Sequence, residues 1–286
     1  MPYSAEISRS SPAAFLFLLD QSASMQEPFG GAEEKGDAAP SKARVLADVM
    51  NRLLQNLVLR CAKEDGVRDY FYVGVVGYGA RVQPLVRPTE ALGTALDLIP
   101  ISHLAEHPLR LEERRKQVPD GAGGLVEQRV RFPVWFDPEA RNGTPMCQAL
   151  DLATQMVRRW IDLHPHGFPP IVLNITDGEA TDGDPLRYAR TLCSFGTDDG
   201  EVLLFNVHLS SVEAMPVELP DRMNGLPDAY AEQLFQMSSV LPFSMRAAAE
   251  QEGYAVSMDA RGFVFNADPV ALVRFLEVGT RPSTLR

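Results

Sequence analysis

Seven consecutive apolar residues, Ala13-Ala14-Phe15-Leu16-Phe17-Leu18-Leu19, run directly into Asp20-Gln21-Ser22-Ala23-Ser24. An unbroken apolar run of strand length, with no polar alternation, predicts a strand covered on both faces, and such strands belong to parallel sheets sandwiched between helices. The remaining pattern agrees. Val45, Leu46, Val49, Met50, Leu53, Leu54, Leu57 and Val58 recur at helical spacing, and Tyr70 to Tyr78 reads as a buried central strand. Gly79 turns that strand into a partner over 81–86, which Pro84 marks as an edge. A short helix is expected near Glu90 to Leu98, a long amphipathic one over Pro145 to Ile161, and a second buried strand over Ile171 to Thr176. A helix opened by Asp184-Pro185, a strand over Val202 to Leu209, a helix near Ser244 to Gln251, a strand over Gly253 to Val256 and a helix opened by Asp268-Pro269 complete the chain. The expected fold class is α/β: a doubly wound, mostly parallel open sheet with one antiparallel edge strand and helices on both faces.

In such sheets the ligand site lies beyond the carboxyl ends of strands where the strand order reverses. Two of the predicted strands end in a carboxylate, Asp20 and Asp177. Ser22 and Ser24 follow Asp20 at alternate positions, and Thr144 opens the Pro145 helix. Five oxygen side chains with no thiol and no imidazole suit a hard cation, magnesium or manganese rather than zinc. Each residue also has an ordinary reading: Thr144 as a helix cap, Asp177-Gly178 as a turn, the serines as loop hydroxyls.

Asp20, Ser22, Ser24, Thr144 and Asp177, in this order and local setting, resemble the metal-ion-dependent adhesion site of von Willebrand factor A (vWA) domains: Asp-x-Ser-x-Ser, a distant Thr and a distant Asp. The resemblance runs from about residue 13 to 278 and implies a single Rossmann-like vWA domain filling 1–286. Ala23 departs from the Gly common at that position. The resemblance further implies Mg2+ or Mn2+ held directly by Ser22 and Ser24, with Thr144 direct or through water and Asp20 and Asp177 mostly through water. An Asp or Glu of a partner protein would complete the coordination. Gln21, Met25, Gly143, Gly178 and Glu179 are the expected partner-contacting rim. A stand-alone bacterial member working in the cytoplasm beside a kinase, phosphatase or ATPase is the implied setting.

Charge and cysteine content fit that setting. With 27 basic and 38 acidic residues the net charge is −11, which disfavours nucleic acid or an anionic membrane as partner. Cys61, Cys147 and Cys193 form no spaced pair, as expected of reduced thiols, and neither a signal peptide nor a membrane span is expected. Neither charge nor spacing indicates an oligomeric state.

Three segments stand outside the plain framework. Gln26 to Ser41 is a Gly- and acid-rich loop positioned to overhang the cation, either as a surface loop or as a gate on its open position. Residues 101–138 form an insertion with a hairpin turning at Asp120 to Gly124, its Arg110, Arg114, Arg115, Lys116, Arg129 and Arg131 making a basic island. Residues 211–241 read as an irregular insertion. Gly74, Gly77 and Gly79 are expected to admit a closely packed helix. No catalytic residue is expected; the competing enzyme reading is a Mg/Mn-dependent phosphohydrolase with Asp20 as nucleophile, weakened by Ser22 where a second carboxylate would stand. A metal-independent scaffold is the third reading. His103-Leu104-Ala105-Glu106-His107 matches a zinc-protease string, but Pro100 and Pro108 leave it barely two turns.

Overall fold

The computed structural model describes residues 2–29, 39–86, 98–119, 125–210 and 214–280. Strand β1 (Ala13–Asp20) is buried at all positions. Phe15, Phe17 and Leu19 enter one apolar cluster while Ala14, Leu16 and Leu18 enter another, which is the two-sided burial that its uninterrupted apolar run requires. Helix α1 (Lys42–Cys61), opened by Ser41 accepting from the Arg44 N–H, covers the first face with Leu46, Met50, Leu53 and Leu57. Strand β2 (Phe71–Tyr78) then pairs parallel to β1, setting Tyr78 opposite Asp20.

Two short strands close that side of the sheet: β3 (Val82–Pro84) and β4 (Ile99–Pro100), both antiparallel to β2. Proline at an edge costs no ladder bond on its open side. After α2 (Ile101–Glu106), β5 (Arg110–Pro119) and β6 (Leu125–Val134) form the expected ribbon, with Arg110 opposite Val134. Helix α3 (Met146–Leu163) covers the second face and leads into β7 (Ile171–Thr176). The chain continues through α4 (Pro185–Cys193), β8 (Leu203–His208), β9 (Val217–Glu218), α5 (Ala229–Met237), α6 (Phe243–Gln251), β10 (Phe263–Phe265) and α7 (Pro269–Gly279). The main sheet runs β9-β10-β8-β7-β1-β2-β3, with β4 also on β2, and its five inner strands are parallel. Residues of α1, α6 and α7 pack in one cluster and those of α3, α4 and α5 in the other. The α/β doubly wound fold read from the sequence is therefore the fold of the chain.

Several details differ. Gly253 to Val256 is not a strand; Phe263, Val264 and Phe265 form the inner strand beside β8. The reason is burial on both sides: Phe263 and Phe265 enter one cluster and Val264 the other, whereas Tyr254 and Val256 are only partly buried against a single one. Of residues 211–241, 211–213 lie outside the described residues, and the remainder is not wholly irregular. It holds edge strand β9, antiparallel to β10, and helix α5, capped by Asp228 accepting from the Ala231 N–H. The helix expected over 90–98 and the 120–124 turn lie mostly or wholly outside the described residues. The basic island is largely neutralised. Arg110 pairs with Glu112 and Asp137, Arg114 with Glu112 and Asp48, Arg115 with Glu127, and Arg129 with Glu113. His103 and His107 stack at 4.1 Å between ring centroids, and His103 is buried on a helix of six residues. Among the described residues, no helix is long and apolar enough to cross a membrane.

A polar chain crosses the inner sheet. Tyr78 Oη donates to Asn174 Oδ1 at 2.7 Å, Asn174 Nδ2 to Asn206 Oδ1 at 3.0 Å, and Asn206 Nδ2 to Ser238 Oγ at 3.0 Å, all buried. Groups so placed are affordable only because each is satisfied. Asn206→Leu takes the oxygen acceptor from the Asn174 amide, leaving it the weak Met146 Sδ contact at 3.8 Å, and is expected to cost about 1–3 kcal/mol, read as a lower urea midpoint at unchanged slope.

Candidate metal centre

The reversal of strand order falls at β1, whose neighbours β2 and β7 are reached through helices on opposite faces. Three loops meet at this carboxyl end, and the backbone ties them together. The Gln21 N–H donates to Tyr78 O, the Arg141 N–H to Gln21 O at 2.7 Å, and the Ala23 N–H to Asn142 O at 2.8 Å. The Thr181 N–H donates to Thr144 O at 2.9 Å, and the Thr144 N–H to Thr181 Oγ1 at 2.9 Å.

The side chains continue this knitting. Asp20 is buried at the end of β1, and both of its oxygens are engaged: Oδ1 accepts from the Ser22 N–H at 2.8 Å and Oδ2 from Thr176 Oγ1 at 2.6 Å. Ser22 Oγ lies 3.0 Å from Ser24 Oγ, and Ser24 Oγ donates to Asp177 Oδ1 at 2.8 Å. Asp20, Ser22, Ser24 and Asp177 thus sit in one local cluster. Burial raises the Asp20 carboxyl to about 6; the Thr176 hydrogen bond opposes this, Asp177 adds to it, and Ser22 opposes it again.

Thr144 is buried at the same end, between Asn142, which takes the Ala23 N–H, and α3. It does not cap α3. That helix start carries no cap from its own flank; instead Asp182, from the third loop, accepts from the Cys147 N–H at 3.0 Å and the Gln148 N–H at 2.9 Å. A carboxylate there also complements the helix dipole. Asn142, at φ 64°, takes a left-handed turn that Asn tolerates, delivering Thr144 to this position.

The expected rim is only partly a rim. Met25 is 0% exposed and Gln21 7%, and the Gln21 amide lies against Gly77, so both face inward. Gly143 and Glu179 are exposed and Gly178 is partly so, with Glu179 accepting from Tyr230 Oη at 2.7 Å. Two of the three glycines also serve a purpose other than helix packing. A Cβ on Gly74 would meet Leu98, Leu16 and Met156 of α3, as expected, but one on Gly77 would strike the Gln21 amide. One on Gly79 would sit 2.4 Å from Gln21 O and 3.0 Å from Arg141 O, so Gly79 is what lets the first two loops close on β2.

Four residues escaped the reading of the sequence: Thr176, Thr181, Asp182 and Lys42. A signal existed for the first three, because Thr176-Asp177-Gly178 is echoed at Thr181-Asp182-Gly183. Lys42 had none, being one lysine at a helix start. Its ammonium is 1% exposed and donates to Asp177 Oδ2 at 3.0 Å and Glu27 Oε2 at 2.9 Å. Of the Gln26 to Ser41 loop, residues 30–38 lie outside the described residues, while its neck is pinned by a Pro28–Ser41 bridge and by the Lys42 N–H donating to Glu27 O.

Among the described residues no group of three or more His, Cys, Asp or Glu is arranged for a metal, so any cation here would rely on hydroxyls beside two carboxylates. That all-oxygen chemistry fits magnesium or manganese. A cavity of about 1050 Å³ lies elsewhere, against Val202, Leu203, Leu241 and Phe243, and contains none of these residues.

No protein-family model matches the chain, and no curated protein matches it. Its fold is similar to solved structures at low identity. The vWF domain of the type V pili tip protein Mfa5 from Porphyromonas gingivalis is 12% identical over 94% of each chain, with a TM-score of 0.38. The ArnB paralog VWA2 from Sulfolobus acidocaldarius is 13% identical over 69% of this chain and 35% of that one, with a TM-score of 0.34. Proximal thread matrix protein 1 from the mussel byssus is 12% identical, with a TM-score of 0.39; the match covers 83% of this chain but only 43% of the mussel protein. These likenesses concern the framework, and the fold rests on the sheet order described above.

Two outcomes follow from the site's packing and charge. Gly79→Ala is expected to part the first two loops, lowering thermal stability and any cation affinity together. In chelator, Asp20 is ionised in the folded protein only above about 6, against 3.8 ordinarily, so its burial penalty is present at pH 8 and fades as pH falls through 6 towards 4. Relative to Asp20→Asn, the native protein should therefore gain about 2–3 kcal/mol between pH 8 and pH 4 in urea titrations.

Proposed function

We propose that the chain is a cation-dependent protein-binding module, in which a divalent ion held at the β1–β7 end recognises an Asp or Glu of a partner protein. The observation that carries this reading is the linked set Asp20, Ser22, Ser24 and Asp177, gathered from two loops 153 residues apart and bordered by the buried Thr144. Ser22 and Ser24 are assigned as direct ligands of Mg2+ or Mn2+, Thr144 as direct or water-bridged, and Asp20 and Asp177 as carboxylates acting mostly through water. With few anionic ligands, the bound ion supplies an under-neutralised centre that attracts a carboxylate. Exposed Gly143 and Glu179, with Gly178, border the approach. A bacterial cytoplasmic assembly with a kinase, phosphatase or ATPase is the setting proposed for it, with no role for nucleic acid or membrane.

The phosphohydrolase reading asks Asp20 to act as a nucleophile. Its side chain is buried and both oxygens already accept hydrogen bonds, which favours a supporting role over attack.

Calorimetric titration with MgCl2 and MnCl2 is expected to show saturable binding, weakened about tenfold or more by Ser22→Ala. Absence of binding both in the folded native protein and in a folded variant lacking the Lys42 ammonium refutes the reading. Affinity should also fall as pH drops through 6, because protons compete for Asp20. A partner captured from lysate in Mg2+ should be released by EDTA, and a generic phosphoester with Mn2+ should not turn over; turnover lost in Asp20→Ala would instead establish the enzyme.

A further inference from the structure

A buried ammonium is an odd neighbour for a cation site. Lys42 is the first residue of α1 and lies 135 residues from Asp177, yet its Nζ sits 3.0 Å from Asp177 Oδ2. Both side chains are essentially sealed from water, at 1% and 0% exposure. Glu27, half-exposed at 52%, holds the same ammonium at 2.9 Å from the solvent side. The neck of the Gln26 to Ser41 loop places these groups: the Lys42 N–H donates to Glu27 O, the Phe29 N–H to Pro40 O, and Pro28 pairs with Ser41. With Oδ1 of Asp177 taken by Ser24 and Oδ2 by Lys42, the cluster is satisfied without any external cation.

We propose that Lys42 is an internal counter-cation: it neutralises Asp177 when the site holds no metal, competes with the divalent ion for that carboxylate, and shifts onto Glu27 when the ion binds. The inference rests on the reading of Asp177 as part of a cation site. Its physical basis is local: an ammonium 3.0 Å from Asp177 Oδ2 offsets that carboxylate's attraction for a divalent ion, and a positive charge a few ångströms from a bound cation repels it strongly in a partly buried setting. Removing one partner of a sealed ion pair also leaves the other uncompensated, so the same lysine should stabilise the metal-free protein. Glu27 serves as the alternative partner, reachable because it already touches the ammonium.

The test compares the native chain with Lys42→Met and Glu27→Gln, using MnCl2 alone as the probe, by calorimetry and by thermal unfolding in EDTA. Lys42→Met is expected to bind Mn2+ at least about tenfold more tightly, to melt lower in EDTA, and to gain more in melting temperature on adding Mn2+ than the native chain. Glu27→Gln, which keeps the lysine and removes the Glu27 carboxylate beside it, is expected to bind Mn2+ several-fold more weakly. If the native chain binds Mn2+ and Lys42→Met binds it no more tightly, the counter-cation role is overturned and the cation site stands. If neither the folded native chain nor folded Lys42→Met binds Mn2+, the cation site itself falls and the inference with it. Should Lys42→Met not fold, Glu27→Gln decides: weaker binding supports the proposal and unchanged binding overturns it.

Discussion

The parallel register of β1 between β2 and β7 is the constraint on which the rest depends. It buries a strand on both faces up to and including a terminal carboxylate, and Asp20 must then find its hydrogen-bond partners inside the protein. Thr176, at the end of the neighbouring strand, donates to one oxygen, and the turn back through Ser22 supplies the other donor. Once Asp20 is satisfied this way, Ser22 and Ser24 are fixed over the end of β7 and within reach of Asp177. The site follows from the sheet, because satisfying one buried charge determines where the next groups must stand.

That order of causes explains why so much backbone is devoted to joining loops. Gly77 and Gly79 omit side chains so that Gln21 can lie against β2. Asp182 spends its carboxylate on the amino end of α3, which leaves the Thr144 hydroxyl unneeded as a cap. A site assembled from three loops gains rigidity only if the loops restrain one another, and here each is bonded to the next. Lys42 fits the same logic: a cluster bearing two carboxylates at a buried position calls for positive charge, from the chain or from outside.

Much of the framework was legible because it rests on short-range periodicity. The seven-residue apolar run, the helical stripe over Val45 to Val58 and the Asp-Pro starts at 184 and 268 each state a local preference that tertiary packing kept. The failures share a cause. Tyr254 to Val256 and Phe263 to Phe265 are comparably apolar, and only the space between β8 and the helices on both faces selects the latter. Helix α5 was hidden in a Pro- and Met-rich stretch whose one clear start signal is its Asp228 cap. The hairpin arginines looked like a basic island because cross-strand acidic partners cannot be counted until the register is known.

The sequence by itself determined the layered α/β class and which oxygen-bearing residues lie at strand ends and helix starts, since both depend on neighbours a few positions away. Only the tertiary structure decided how those residues are used. It turned Met25 and Gln21 inward, gave the capping of α3 to Asp182, and brought Lys42 across 135 residues to Asp177. Local pattern encodes which face of an element is buried, whereas charge pairing and satisfaction of buried polar groups depend on distances between segments that no local pattern contains.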